Sequence, residues 1–312
     1  MHRIILDTDP GIDDALAFFL ALASPEIQLE AITTVSGNVD VEQTTRNALT
    51  LLQLLDRGDI PVARGSRYPI VRTPVEATEV HGANGLGNIE LPPLKLQPIA
   101  QHAADLIIEK VHQYPGEITL VAIGPLTNLA LALRKEPGLA QHVREVVIMG
   151  GAVRVPGNVT PCAEFNIFAD PHAAHMVFHA GWPLRLVSLD VTQLVTFARE
   201  HIEEFTRSGG VVKDCIRQVT SFYFERFAPF YGISTFQMHD PLCLATVFQP
   251  DLVTWEEAYV DVELHGTLTL GETVAYFNDY NRPDKPNMRV SSAVDAERFI
   301  RLYVERIEQA WT

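Results

Sequence analysis

Arg3-Ile4-Ile5-Leu6-Asp7-Thr8-Asp9-Pro10-Gly11-Ile12-Asp13-Asp14-Ala15 is the stretch that decides how this chain reads. Residues 3–7 form an apolar run of the kind that makes a buried strand, and residues 14–23 have helical character. Pro10 and Gly11 make the turn between them. Four carboxylates fall within eight residues, directly after the strand. Mutual repulsion makes that arrangement costly unless something cationic neutralises it. A hard divalent cation with oxygen ligands is the obvious neutraliser. Asp13 or Asp14 alone is explained by a helix N-terminus, where the dipole favours negative charge. Asp9 and Asp14 together, after a hydrophobic strand, fit a metal better.

The same alternation of strand, loop and helix continues outward. Strand-like runs occupy 29–35, 60–63, 118–123, 143–149 and 184–189, and helical runs occupy 41–55, 100–111, 127–134 and 171–179. The last of these has Asp170 as N-cap and Pro171 in its first turn. Residues 200–230 are helical and aromatic, with a break at Ser208-Gly209-Gly210. Residues 259–264 and 267–275 read as an antiparallel hairpin around His265-Gly266, and a helix over 295–309 closes the chain. The pattern predicts an α/β fold: a mostly parallel central sheet flanked by helices, a Rossmann-like open sheet with a small antiparallel addition near the C-terminus. No Pro/Gly/Ser linker marks a boundary, so 1–312 reads as a single domain. Ligands in such folds sit beyond the carboxyl ends of the strands. The polar clusters at 7–14, 36–38, 124–128, 150–158 and 190–193 all follow strand runs.

Composition narrows the function classes. The chain is 47% hydrophobic with a formal net charge of −15, which argues against nucleic-acid or anionic-membrane binding. No stretch is long and apolar enough for a membrane span, and the N-terminus lacks the features of a secretory signal. Cys162, Cys215 and Cys243 are odd in number and widely spaced, which suggests reduced thiols in a cytoplasmic protein.

The Asp7–Ala15 segment closely resembles the signature of the inosine–uridine-preferring nucleoside hydrolase family. Further segments are similar in the same order: Ala31 to Asn38; Val80-His81-Gly82 with Gly85-Leu86; Val121 to Asn128; Ile148 to Gly151; Ala163 to Pro171; His239-Asp240; and the tail around Pro286-Asn287 and Val294-Asp295. The resemblance implies hydrolysis of the N-glycosidic bond of ribonucleosides to ribose and free base, in purine or pyrimidine salvage. It also implies a Ca2+ ion held by Asp9, Asp14, the Ile123 carbonyl and Asp240, with water and ribose hydroxyls completing about 6–8 oxygens. Family members are homodimers and homotetramers, which is the assembly it implies here.

Chemistry gives each residue a reason. A metal-bound water loses its proton more easily, and Asp9 is the candidate base for it. An oxocarbenium-like transition state is favoured by neighbouring carboxylates. Asp13, Asn38, Asn158, Glu164 and Asn166 are expected to grip the ribose hydroxyls, with Asp240 also within reach. Met149 packs against the sugar or base, or is a core methionine at a strand end. His239 is the acid candidate for the leaving base. Tyr223, Phe227 and Tyr231, spaced by four, face either the base or the core, and His81 reads as a loop residue near the pocket. His172, His175 and His179 lie on one helical face without an evident cysteine or carboxylate partner, and read as a surface or interface helix. The rival functions are an aspartate-based phosphatase, disfavoured by Gly11 two residues past the second Asp, and a non-catalytic nucleoside- or ribose-binding protein.

Overall fold

The computed structural model describes residues 1–311; Thr312 and the side chain of Tyr231 lie outside the described residues. Strand β1 (His2–Thr8) runs through the interior of a nine-stranded sheet. Ile4 and Leu6 enter one apolar cluster and Ile5 the other, the alternation a strand imposes. Both clusters are dry, so β1 carries no polar face along its middle.

The remaining strands are β2 (Ile27–Thr34), β3 (Val62–Arg64), β4 (Ile118–Ala122), β5 (Glu145–Met149), β6 (Leu184–Val187), β7 (Thr196–Ala198), β8 (Thr235–Gln237), β9 (Val253–Val262), β10 (Thr273–Tyr276) and β11 (Met288–Val294). The large sheet has the order β10-β9-β11-β6-β5-β4-β1-β2-β3, and β7 pairs with β8 in a separate antiparallel ribbon. From β11 through β6 to β3 the strands are parallel; β9 and β10 form the antiparallel edge. Helices Ile12–Ala23 and His239–Phe248 pack into one cluster, and Ala103–Gln113, Thr127–Lys135 and Pro171–Phe178 into the other. The expected sheet, covered on both faces and with its antiparallel addition, is therefore present.

The β7–β8 ribbon and the start of β9 at Val253 depart from the sequence reading, as do two further details. The β9–β10 pair is joined through residues 263–272, so most of the expected second arm is turn, and Thr273 faces Val262 at the start of the pairing. Strand β11 was not anticipated. Its sequence, MRVSSAV, lacks a long apolar run, and it is a strand because β6 and β9 flank it.

The topology fixes where a ligand goes. The chain moves from β1 outward to β3, then returns to β4 on the other side of β1. That reversal opens a crevice beyond the carboxyl ends of β1 and β4. Asp9 follows β1 and Ile123 follows β4 at this point.

Candidate active site

Asp9, Asp14 and Asp240 are buried, and Asp13 is half-buried. Asp13, Asp14 and Asp240 each offer an oxygen within 4.8 Å of the others. Asp14 sits in the first turn of Ile12–Ala23, where Gly11 N donates to its Oδ2 at 2.9 Å and Thr8 Oγ1 to its Oδ1 at 2.5 Å. Asn38 ties this turn to the next loop, donating its side-chain amide to Asp14 Oδ2 and to the Asp9 carbonyl, both at 3.1 Å. Its backbone N–H donates to Asp9 Oδ2 at 2.7 Å. Asp240 is brought in from a distant part of the chain by the first turn of His239–Phe248.

Burial raises the pKa of all of these carboxyls. Burial and then the charge of Asp14 push Asp9 well above the usual carboxylate range and Asp13 up to about 8. Asp14 is raised by burial, against the hydrogen bonds from Thr8 and Gly11. Asp240 is raised by burial and then by Asp13, Asp14 and Asp9. Asp9 Oδ1 is buried without a hydrogen-bond partner. A dry anionic oxygen beside like charges is costly by itself and fits a hard divalent cation. The pocket around that carboxylate is tight: a Cβ at Gly37 would fall 2.0 Å from Asp9 Oδ2, and one at Gly124 2.5 Å from Oδ1.

The far wall comes from β4, β5 and the short helix Phe165–Ala169. Asn166 donates its amide to the Ile123 carbonyl at 3.1 Å and the Met149 carbonyl at 3.2 Å, which holds two strand ends together. Met149 is buried in the apolar core with Sδ 3.5 Å from the same amide, so its core role and its place beside the site coexist. Glu164 caps the short helix, accepting from Asn166 N and Ile167 N, and also accepts from Gly151 N. Burial raises its pKa against those three donors. Asn158 is exposed, and its Oδ1 accepts from Phe165 N at 2.9 Å.

Two histidines face each other electrostatically. His239 Nδ1 lies 2.8 Å from Thr192 Oγ1, and burial pushes the ring pKa down to about 4. His81 Nδ1 accepts from Ile12 N at 3.0 Å, and burial, then the charge of His239, pushes it down to about 3. Because Nδ1 of His81 accepts, its hydrogen is on Nε2. Tyr223 is half-buried against Phe227 (ring centroids 4.8 Å) and Phe236 (5.2 Å), and its pKa is raised by burial and then by Asp13. It therefore lies on the core side of the Val211–Tyr231 helix and within the field of the carboxylates at once. Phe227 packs beside it.

A supporting layer escaped the sequence reading. Asp7 Oδ1 accepts from Thr33 Oγ1 at 2.5 Å and Asn128 Nδ2 at 2.8 Å, and burial raises its pKa to about 7. Asp190 holds the 150–158 loop by accepting from Val153 N and Arg154 N. The sequence signal for Asp7 was its place among the four closely spaced carboxylates at the end of a strand run, and for Asp190 its place just after one.

The sequence model of the family described as inosine-uridine preferring nucleoside hydrolase matches residues 4–301. The chain belongs to that family. An inosine-uridine preferring nucleoside hydrolase of Leishmania major is 41% identical over 314 residues, covering 99% of this chain and 98% of its own. A pyrimidine-specific ribonucleoside hydrolase of Enterobacter sp. (strain 638) is 40% identical, covering 98% and 97%. A solved purine-preferring ribonucleoside hydrolase from Gardnerella vaginalis superposes with a TM-score of 0.93 at 33% identity, over 99% and 98% of the two chains. This nucleoside hydrolase cleaves ribonucleosides, and its Asp-rich site is that of a metal-dependent enzyme. Neither the phosphatase nor the non-catalytic binding protein accounts for these matches. Among the described residues no helix is long and apolar enough to cross a membrane.

Proposed function

We propose that the metal is calcium, held by Asp9, Asp14, the Ile123 carbonyl and Asp240, and that Asp9 takes a proton from the attacking water. The observation that carries this reading is the unpartnered, buried Asp9 Oδ1 among like charges. Oxygen-only donors favour a hard ion such as calcium. Such a cation, when bound, supplies Lewis acidity and offsets the carboxylate charge. Asp9 Oδ2 accepts from Asn38 N, which leaves Oδ1 facing the cation and fixes the carboxylate beside the attacking water.

The ribose is gripped by Asp13, Asn38, Asn158, Glu164, Asn166 and Asp240. Asn38 and Asn166 spend their amide hydrogens on the protein, so each offers its carbonyl oxygen to a hydroxyl. His239 assists the leaving base. With the Thr192 hydroxyl donating to Nδ1, the hydrogen stays on Nε2, and a neutral ring presents a donor to the base nitrogen. His81, Tyr223 and Phe227 edge the base side. The relatives are variously named for inosine–uridine, pyrimidine and purine preference, so the base is a matter for assay.

A nine-stranded sheet that draws its strands from both ends of the chain, β1 to β11 without β7 and β8, supports reading 1–312 as a single domain. Tyr68, Ile70 and Val71, exposed on one loop, support association into a homodimer or homotetramer. Cysteines without disulfides fit a cytoplasmic enzyme of nucleoside salvage. The test is ribose release from inosine, uridine, cytidine and adenosine, with calcium and with a strong chelator. Release that stops on chelation and returns with calcium, but not with magnesium, is expected. Full turnover in chelator would defeat the calcium reading.

A further inference from the structure

We propose that His175, His179 and Asp261 form a second metal site, for a zinc-class ion, outside the carboxylate centre. His175 lies in the last turn of Pro171–Phe178 and His179 is its C-cap, so the two rings sit one turn apart with centroids 4.5 Å from each other. The sequence alone offered no carboxylate for this pair. The fold supplies one from β9: Asp261 Oδ1 lies 2.7 Å from His175 Nδ1, and Oδ2 3.8 Å from His179 Nε2. All three donor atoms fall within 4.8 Å of one another. Zinc at ordinary bond lengths separates tetrahedral ligands by about 3.4 Å, so small side-chain adjustments close the site.

His179 is also prepared as a ligand. Its Nδ1 is 2.8 Å from the His175 carbonyl, which can only accept, so Nδ1 carries the hydrogen and Nε2 has the lone pair, which a metal would take over from the Tyr259 hydroxyl 3.2 Å away. Fixing a ligating imidazole through a backbone carbonyl on its other nitrogen is the usual support for such a ligand. The elements are rigid: Ala173, Ala174 and Val177 share an apolar cluster with Ala258, Val260 and Val262 of β9. His172, although close in sequence, is not part of the cluster. Two imidazoles and one carboxylate select a borderline ion, whereas the oxygen-only centre selects a hard one. Three protein ligands leave a position for water.

The experiment titrates calcium-saturated protein with Zn2+ by calorimetry and with Co2+ by visible absorption. One Zn2+ equivalent is expected, with a nitrogen-ligated Co2+ spectrum. His179→Ala and Asp261→Ala each weaken Zn2+ at least about tenfold and abolish the spectrum, while Asp9→Ala keeps both. The residues are partly exposed, and melting curves of the variants without zinc check that they fold. No Zn2+ binding would mean the cluster is a histidine–aspartate ion pair only, and the proposal would fall. Binding lost in Asp9→Ala but kept in His179→Ala would assign the zinc to the carboxylate centre and overturn it equally.

Discussion

The amino and carboxyl ends of the same parallel strands bury charge in opposite ways. At the amino end, Arg185 of β6 forks onto Glu145 of β5, with Nε to Oε2 and Nη2 to Oε1 both at 2.9 Å, and its remaining Nη1 donates to the Thr246 carbonyl. The guanidinium is nearly dry, yet each of its three nitrogens donates to an acceptor inside the chain. At the carboxyl end, Asp9, Asp13, Asp14 and Asp240 gather with like charge, and the buried Asp9 Oδ1 has no partner. The first arrangement is complete as folded. The second is complete only with something cationic added, which separates a structural cluster from a functional one.

Replacing single members at each end breaks this contrast in different observables. The largest effect is expected for Asp9→Asn. Turnover should fall by about 10⁴-fold, the upper end for loss of a general base. The metal-free protein should melt no lower than the parent, because one buried like charge is gone. Turnover within tenfold of the parent would remove Asp9 from the chemistry.

Next in size is His239→Ala, at about 10²-fold or more on ribonucleosides. The sharper readout is the leaving group. A riboside of nitrophenolate needs no proton on departure, so the same variant should cleave it at near the parent rate. An equal loss on both substrates would make His239 a positioning residue.

The opposite end predicts the opposite signature. Arg185→Met leaves Glu145 without its partner and should lower stability by about 3 kcal/mol, with kcat and KM unchanged in the folded fraction. Adding Glu145→Leu should recover most of the loss. A kcat change in either variant would show that the two ends are coupled.

How far the sequence could reach follows from the same physics. The strands that are dry on both faces, β1 and β4, announce themselves as apolar runs, and the carboxylates of 7–14 are legible because they are contiguous. Asp240 and Asn166 stood out only through resemblance, since folding alone brings them to Asp9. The Asp7 network was not legible: its donors, Thr33 and Asn128, are 26 and 121 residues away. Strand β11 failed for a related reason, because its neighbours rather than its own residues make it a strand. The partner for His175 and His179 likewise arrives on β9 from more than 80 residues downstream.

The smallest predicted effect tests where the functional end stops. Asn158 is exposed, on a loop whose other anchor is Asp190, and its Oδ1 is spent on Phe165 N. If its free amide also reaches a ribose hydroxyl, Asn158→Ala should raise KM about fivefold, the worth of one hydrogen bond of about 1 kcal/mol. Asn158→Asp separates the two roles, because it keeps an acceptor for Phe165 N and loses the amide donor. Should Asn158→Asp bind substrate like the parent while Asn158→Ala does not, Asn158 acts by holding the loop. Equal weakening in both would place its amide on the sugar, extending the ligand-completed region to the protein surface.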